Sequence, residues 1–197
     1  ELMRTLDDET VADTLEELDS DEAADILEEI EEERASDILE EMNPDAAADI
    51  MADLDQEKAD KLLSLMDYEE SEDVRELLSY SRDSAGGMMT NDFIFLPAHL
   101  EAAEALRQIR AMEEQPEFVD YLYVAGPGTE RVIGVASLRD VVFCPDRATP
   151  LDRIMEHDLV SVHPTTPSKE AAALLTAYGL RALPVLDDDG IMLGIIT

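Results

Sequence analysis

Lysine is nearly absent: only Lys58, Lys61 and Lys169 occur among 197 residues, and 14 bases in all face 49 acids, a net charge of −35. Binding to nucleic-acid phosphate rests on clustered Lys and Arg, so a nucleic-acid partner is excluded. An anionic membrane surface is excluded on the same ground. Cysteine is reduced to Cys144, which removes intrachain disulfides and Cys-based zinc sites and fits a reducing compartment. No run of 18 apolar residues exists, so no helix is expected to span a bilayer. No signal peptide is expected. The apolar fraction of 45% still supports a packed core. The chain opens on Glu1 and stops at Gly194-Ile195-Ile196-Thr197, which reads as an excised piece of a longer protein.

Glycine is missing from one part only. Residues 1–80 contain no Gly and one Pro, Pro44, while all eight glycines and the other prolines come later. The charge divides the same way, with 31 acids and 5 bases in residues 1–80 against 18 and 9 in the rest. The first part is therefore expected to be helical and the second rich in strands and turns. The boundary falls near Ser79–Ser84.

The first part is a 12-residue repeat whose units begin at Leu6, Leu18, Ile30, Met42, Leu54 and Met66. The second position is Asp7, Asp19, Glu31, Asn43, Asp55 and Asp67, mostly residue types that accept from the orphan N–H groups of a helix start. Pro44 follows Asn43 at the first helical position, where its missing N–H costs nothing. Positions 6, 9, 10 and 13 form an apolar stripe, with Arg75 breaking the rule at position 10. One continuous helix would rotate that stripe by about a third of a circle per unit. The repeat predicts six short helices stacked as a solenoid, each too short to stand alone.

The outer faces are left crowded with carboxylates. Three readings fit: a solvated face, adaptation to a salty cytosol, and binding of hard divalent cations, which prefer carboxylate oxygen. Asp45 and Asp49 form an i, i+4 pair on one helix face, as do many other acids here.

The second part alternates strands and helices. Strands are expected at Ile94–Leu96, Tyr121–Ala125, Val132–Ala136, Leu159–Val162, Leu183–Leu186 and Ile191–Ile196. Helices are expected at Glu101–Glu113, near Ser137–Asp140 and at Lys169–Tyr178. This is a β-α-β-β unit with a small helix, repeated about every 60 residues. In Gly134-Val135-Ala136-Ser137-Leu138-Arg139-Asp140 a glycine is expected to end a strand, Ser137 to cap a helix, and Asp140 to lie one turn on. Asp140 could accept from ribose hydroxyls, and the helix start favours phosphate; equally, Ser137 and Asp140 form a capping box. Gly126-Pro127-Gly128 lacks a Lys-Ser/Thr sequel and is a turn, not a phosphate loop. Asp187-Asp188-Asp189-Gly190 is a hairpin turn rather than a calcium loop.

These residues resemble a known module. The tandem unit, with Met88-Met89-Thr90 and Ile154-Met155 at its two starts, Leu183-Pro184-Val185, and the Gly134–Asp140 motif, looks like a pair of CBS domains. An acidic helical repeat joined to it through Ser84-Ala85-Gly86-Gly87-Met88-Met89-Thr90 resembles the cytosolic region of MgtE-type magnesium transporters. The implied fold is α+β in two parts, with an acidic N domain at 1–82 and CBS domains at 83–148 and 149–197, the last one truncated.

The resemblance implies function as well. The chain would be the magnesium-sensing and gating region at the cytoplasmic face of the membrane. Mg²⁺ bound between the N and CBS domains would close the pore. The partners would be a second copy, through the CBS pairs, and the chain's own transmembrane pore domain. The matching metal positions are Asp45, Asp49 and Gly87. Where the family often carries further acids this chain has Pro167, Lys169 and Gly179, a departure that counts against those shared ions. ATP binding in the CBS pair would involve Tyr121, Ser137, Arg139 and Asp140, with Val160 and Leu180 lining the cleft. The alternative is a soluble CBS-pair sensor of adenine nucleotides regulating a partner protein. No catalytic constellation is present, so no enzyme activity is expected.

Overall fold

The computed structural model describes residues 6–112, 116 and 118–197. They form two compact units, one ending at Ser81 and one spanning Arg82–Thr197.

The first unit consists of α1 (Asp8–Glu16), α2 (Ser20–Glu28), α3 (Glu32–Glu40), α4 (Pro44–Asp53), α5 (Gln56–Leu65) and α6 (Tyr68–Leu78). Every helix starts just after the repeat's second position, as the sequence predicts. The mechanism differs. Only Asp7 caps with its own side chain, accepting from the Thr10 N–H at 3.0 Å. At Asn43 and Asp67 the cap residue's backbone N–H instead donates to a glutamate 27 residues earlier, Glu16 at 2.6 Å and Glu40 at 2.8 Å. Those glutamates end α1 and α3, so each clasp ties a helix end to the start of a later helix.

Each helix packs mainly on the next but one in sequence, α1 on α3, α2 on α4, α3 on α5 and α4 on α6. Positions 6 and 10 supply the buried core, including Val11, Ala23, Ala35, Ala47, Leu15, Leu27, Leu39 and Met51. Position 7 joins them at Ala12, Ala24, Ser36 and Ala48, all buried. Small residues at both positions let neighbouring helices approach closely. Position 9 is less regular: Ile38, Ile50, Leu62 and Val74 are buried, but Thr14 is exposed. Arg75 departs from the stripe because its guanidinium donates to the Leu63 carbonyl at 3.0 Å, meeting an orphan acceptor near the end of α5.

In the second unit, β1 (Ile94–Pro97) pairs parallel with β2 (Tyr121–Ala125), which pairs antiparallel with β3 (Val132–Ser137). Between β1 and β2 lies α7 (Ala102–Arg110), which ends three residues before the expected Glu113: Ala111 caps it and Met112 is non-helical, and Glu113 itself lies outside the described residues. After β3 come the short α8 (Leu138–Val142), then α9 (Ser168–Tyr178) and the antiparallel pair β4 (Leu183–Leu186) and β5 (Met192–Ile196). One face of the first sheet packs on α7, with Leu122, Val124, Ala105 and Leu106 in the core.

The expected strand Leu159–Val162 shrinks to a single parallel bridge, Val162 to Val185. Val162 N–H donates to the Pro184 carbonyl at 3.0 Å and Leu186 N–H to the Val162 carbonyl at 2.8 Å. Extending that ladder back to Val160 would need an N–H from Pro184, which proline does not have. Gly134 does not end its strand either; it sits inside β3, where the Glu156 carbonyl and the Met155 side chain lie close above it.

The two repeats interlock. Val135 exchanges backbone hydrogen bonds with Glu156 at 3.0 and 2.8 Å, and Thr90 with Ile195 at 2.9 Å each way. Each repeat's lead-in segment therefore completes the other's sheet.

Candidate functional site

Two places collect the residues that the sequence singles out. On α4, Pro44 sets the first helical position, so Asp45 falls in the first turn and Asp49 one turn later. Asp45 is half-buried and Asp49 exposed. A carboxylate in the first turn is favoured by the helix dipole. Among the described residues no three His, Cys, Asp or Glu side chains converge on one metal position. A pair is what Mg²⁺ uses when it keeps several of its waters, so Asp45 and Asp49 fit that ion's donor chemistry. Gly87 lies in the second unit, half-buried, its N–H bound to Ser84 through the carbonyl at 3.1 Å and Oγ at 3.3 Å.

Elsewhere in the first unit, carboxylates crowd one another. Burial raises the pKa of Glu40 and adds to the repulsion from Asp67, Asp37 and Glu70, against the Asp67 N–H bond that favours the anion. Burial likewise raises Asp73, helped by Glu70 and Glu69, and raises Glu76, helped by Asp73. Asp7 is lowered by the Thr10 backbone bond first and the Thr10 hydroxyl second.

The second place is a cleft of about 300 Å³ between the two repeats. Tyr121, Ser137, Asp140, Val160 and Leu180 all line it, together with Tyr123, Glu156 and Asp158. Arg139 does not; it lines a shallow outer recess with Ser137, Asp140 and Phe143. Period-two alternation puts Tyr121 and Tyr123 on one face of β2 while Leu122 and Val124 enter the core. That alternation was the available signal for Tyr123. Glu156 and Asp158 reach the cleft because the backbone of Glu156 docks on Val135 of β3, a long-range pairing no local pattern reveals.

Ser137 caps α8: its Oγ accepts from the Asp140 N–H at 3.0 Å and donates to Asp140 Oδ2 at 2.7 Å. Ser137 therefore acts as the N-cap, with its hydroxyl and not its backbone N–H bound to the Asp140 carboxylate. The Tyr123 hydroxyl is buried without a hydrogen-bond partner among the described residues, and burial pushes its pKa well above the ordinary phenol value. Among the described residues no Lys, Arg or His lines the cleft itself, against three carboxylates, while Arg139 lines the adjoining recess that shares Ser137 and Asp140 with it.

The chain is thus an acidic helical solenoid followed in sequence by two interlocked α/β repeats with a cleft between them. Residues 1–83 match the MgtE intracellular N domain, and residues 85–145 and 151–197 match the CBS domain. The crystal structure of the soluble part of a magnesium transporter superposes with a TM-score of 0.92 at 31% identity, covering all of this chain and 77% of that one. The cytosolic domain of the Mg²⁺ channel MgtE in complex with ATP gives 0.91 at 32%, covering 98% and 78%. The magnesium transporter MgtE of Thermus thermophilus is 35% identical over 115 residues, 58% of this chain and 25% of that protein. The chain belongs to the MgtE family of magnesium transporters, as its N domain and CBS pair. Its match spans about a quarter of the length of the curated transporters. Among the described residues no helix is long and apolar enough to cross a membrane.

Proposed function

We propose that this chain is the magnesium-sensing and gating region of an MgtE-type transporter, lying on the cytoplasmic face of the membrane. The observation that carries the reading is the Asp45–Asp49 pair on α4, set within an N domain whose carboxylates outnumber its bases about sixfold. Like charges that close repel each other, and a divalent ion relieves the repulsion where its ligands lie. Mg²⁺ held by Asp45 and Asp49, with the Gly87 carbonyl, bridges the N domain and the CBS pair and favours a closed pore. Depletion of Mg²⁺ frees the two parts and the pore opens. The region acts as a homodimer through its CBS pairs and binds rather than catalyses.

The test is a titration of Mg²⁺ against Na⁺ at equal ionic strength, following the thermal midpoint and the radius of gyration. Mg²⁺ is expected to compact and stabilise the chain beyond the Na⁺ control. Equal responses would show salt adaptation in place of sensing. Asp45→Asn with Asp49→Asn should abolish most of the Mg²⁺-specific part; an unchanged titration would rule out these ligands.

The second reading is a soluble nucleotide sensor that regulates a partner. The cleft between the repeats favours it, and a relative's cytosolic domain holds ATP. The two readings join if an adenine nucleoside in the cleft tunes the magnesium response.

A further inference from the structure

We propose that the segment Asp83–Gly86 is a strap that stays docked while the first unit responds to Mg²⁺, and that it hands the response to the start of α9. The handing-on rests on the magnesium-sensing reading; the docking does not.

The chain enters the second unit at Arg82. Two consecutive glycines follow, Gly86 and Gly87, and such a pair is where a free hinge is expected. Their surroundings are those of an anchor. Ser84 faces Pro167 across an antiparallel bridge. Around that bridge Ala85 N–H donates to the Thr166 carbonyl at 2.7 Å and Gly86 N–H to the Pro164 carbonyl at 2.9 Å. In the other direction Ser168 N–H donates to the Asp83 carbonyl at 2.9 Å. Ser84, Ala85 and Gly86 are all buried, Ala85 completely. Gly87 N–H folds back on Ser84, and Met88 N–H on the Ala85 carbonyl at 3.2 Å, so the glycines close a turn over the strap.

The receiving stretch is ordered in its own right. Val162 fixes its near end to β4 through the two bonds described above. Thr166 N–H donates to the His163 carbonyl at 2.9 Å, and His163 Nδ1 lies 2.8 Å from Thr165 Oγ1. Its far end is the start of α9, which has little else to hold it. The N-cap Pro167 supplies no side-chain bond, and Ala171 is the one buried residue of the helix. A helix start leaves its first N–H groups orphaned, and the strap's Asp83 carbonyl meets the one on Ser168. An element with few buried contacts shifts at low cost. A displacement of the strap is therefore taken up at α9 before it is taken up in the sheets.

Ser84 and Pro167 are the non-hydrogen-bonded partners of this ladder, a position whose Cα atoms lie about 4.5 Å apart, within reach of a disulfide. The whole chain carrying Ser84→Cys and Pro167→Cys, in a Cys144→Ala background, is compared oxidised and reduced. Amide exchange is followed by NMR in the wild type, in EDTA and in Mg²⁺. Ala85, Gly86 and Ser168 are expected to be protected at least about a hundredfold in both, and protection below about tenfold in EDTA overturns the docking. Oxidation should leave the Mg²⁺-specific compaction unchanged. Its loss in the oxidised form overturns the proposal, because strap release would then be part of the response. Mg²⁺ should change exchange at Glu170 and Ala171 in the wild type by at least about threefold. Ala85→Pro, which removes the donor to Thr166, should abolish that change while the compaction persists. An α9 that ignores Mg²⁺ in a chain that compacts, or that still responds in Ala85→Pro, overturns the handing-on. If Mg²⁺ compacts nothing, the sensing reading fails and the handing-on with it, and exchange in EDTA alone decides the docking.

Discussion

A side chain on Gly134 would bring its Cβ within 2.6 Å of the Glu156 carbonyl oxygen and 2.7 Å of the Met155 sulfur. The second repeat reproduces the arrangement, with Gly194 lying 2.5 Å by the same measure from the Thr90 carbonyl oxygen. In both cases the close neighbour is backbone, held by a pair of ladder hydrogen bonds, and cannot swing aside. Gly134→Ala and Gly194→Ala should each destabilise the second unit by about 1–3 kcal/mol, as overpacking does elsewhere. Urea denaturation followed by circular dichroism checks this, and an unchanged midpoint in either variant would mean that the crossing backbone yields freely.

The clasp from Glu16 to Asn43 predicts a stability loss that helix propensity alone does not. Glu16→Ala removes acceptors for the Asn43 backbone N–H and side-chain amide, at 2.6 and 3.1 Å. Hydrogen bonds to a charged acceptor contribute about 1.5–3 kcal/mol, reduced here by partial exposure, so a loss of about 1 kcal/mol is expected. Hydrogen exchange should show it as faster opening at the start of α4, where Asp45 lies. Uniform acceleration across all six helices would assign the effect to global stability instead.

Acid should stabilise the first unit before it destabilises it. Glu40, Asp73 and Glu76 have pKa values raised above 4.5, 3.8 and 4.5 respectively. A raised carboxyl is unfavourable when ionised in the folded state, so its penalty is present above its folded pKa and fades as pH falls through that value. Asp7 has the opposite sign: its stabilisation is present above 3.8 and is lost as pH falls through its lowered folded pKa. The melting temperature should rise as pH falls from neutrality through the raised values of Glu40, Asp73 and Glu76, and fall again once the lowered group is protonated. Glu40→Gln with Asp73→Asn should flatten the rising limb. A monotonic fall from pH 7 would contradict the assignment.

The exposed apolar run on α9 predicts self-association. Ala171 is its one buried residue, while Ala172, Ala173, Ala177 and Tyr178 are exposed, Tyr178 at 62%. If the homodimer forms through the CBS pairs, Ala173→Arg with Ala177→Arg should shift sedimentation equilibrium to monomer without altering the helical signal. Retention of the dimer would place the contact on another face.

Much of this architecture was readable from residue order. The 12-residue period located all six helix starts, and Tyr121–Ala125 and Leu183–Leu186 coincide with observed strands. What escaped was non-local. A period of 12 places every helix in the same register with all the others, so it cannot say that α1 meets α3 rather than α2. The Glu16 and Glu40 clasps act across 27 residues and leave no local trace. Val160 reads as strand by its neighbours, and only the register opposite Pro184 shows why the ladder stops there. In the cleft, five of the six sequence-derived positions come together. Glu156 and Asp158 were missed because their docking depends on the partner repeat, whereas the alternation along β2 already placed Tyr123 on the face of Tyr121.

The Thr90–Ile195 pair has a mechanical meaning. Thr90 belongs to the segment that follows Gly86 and Gly87, and Ile195 to the final strand, yet two 2.9 Å hydrogen bonds fasten them directly. A pull applied at the end of β5 loads the junction segment in shear, through both bonds at once, and bypasses the cleft altogether.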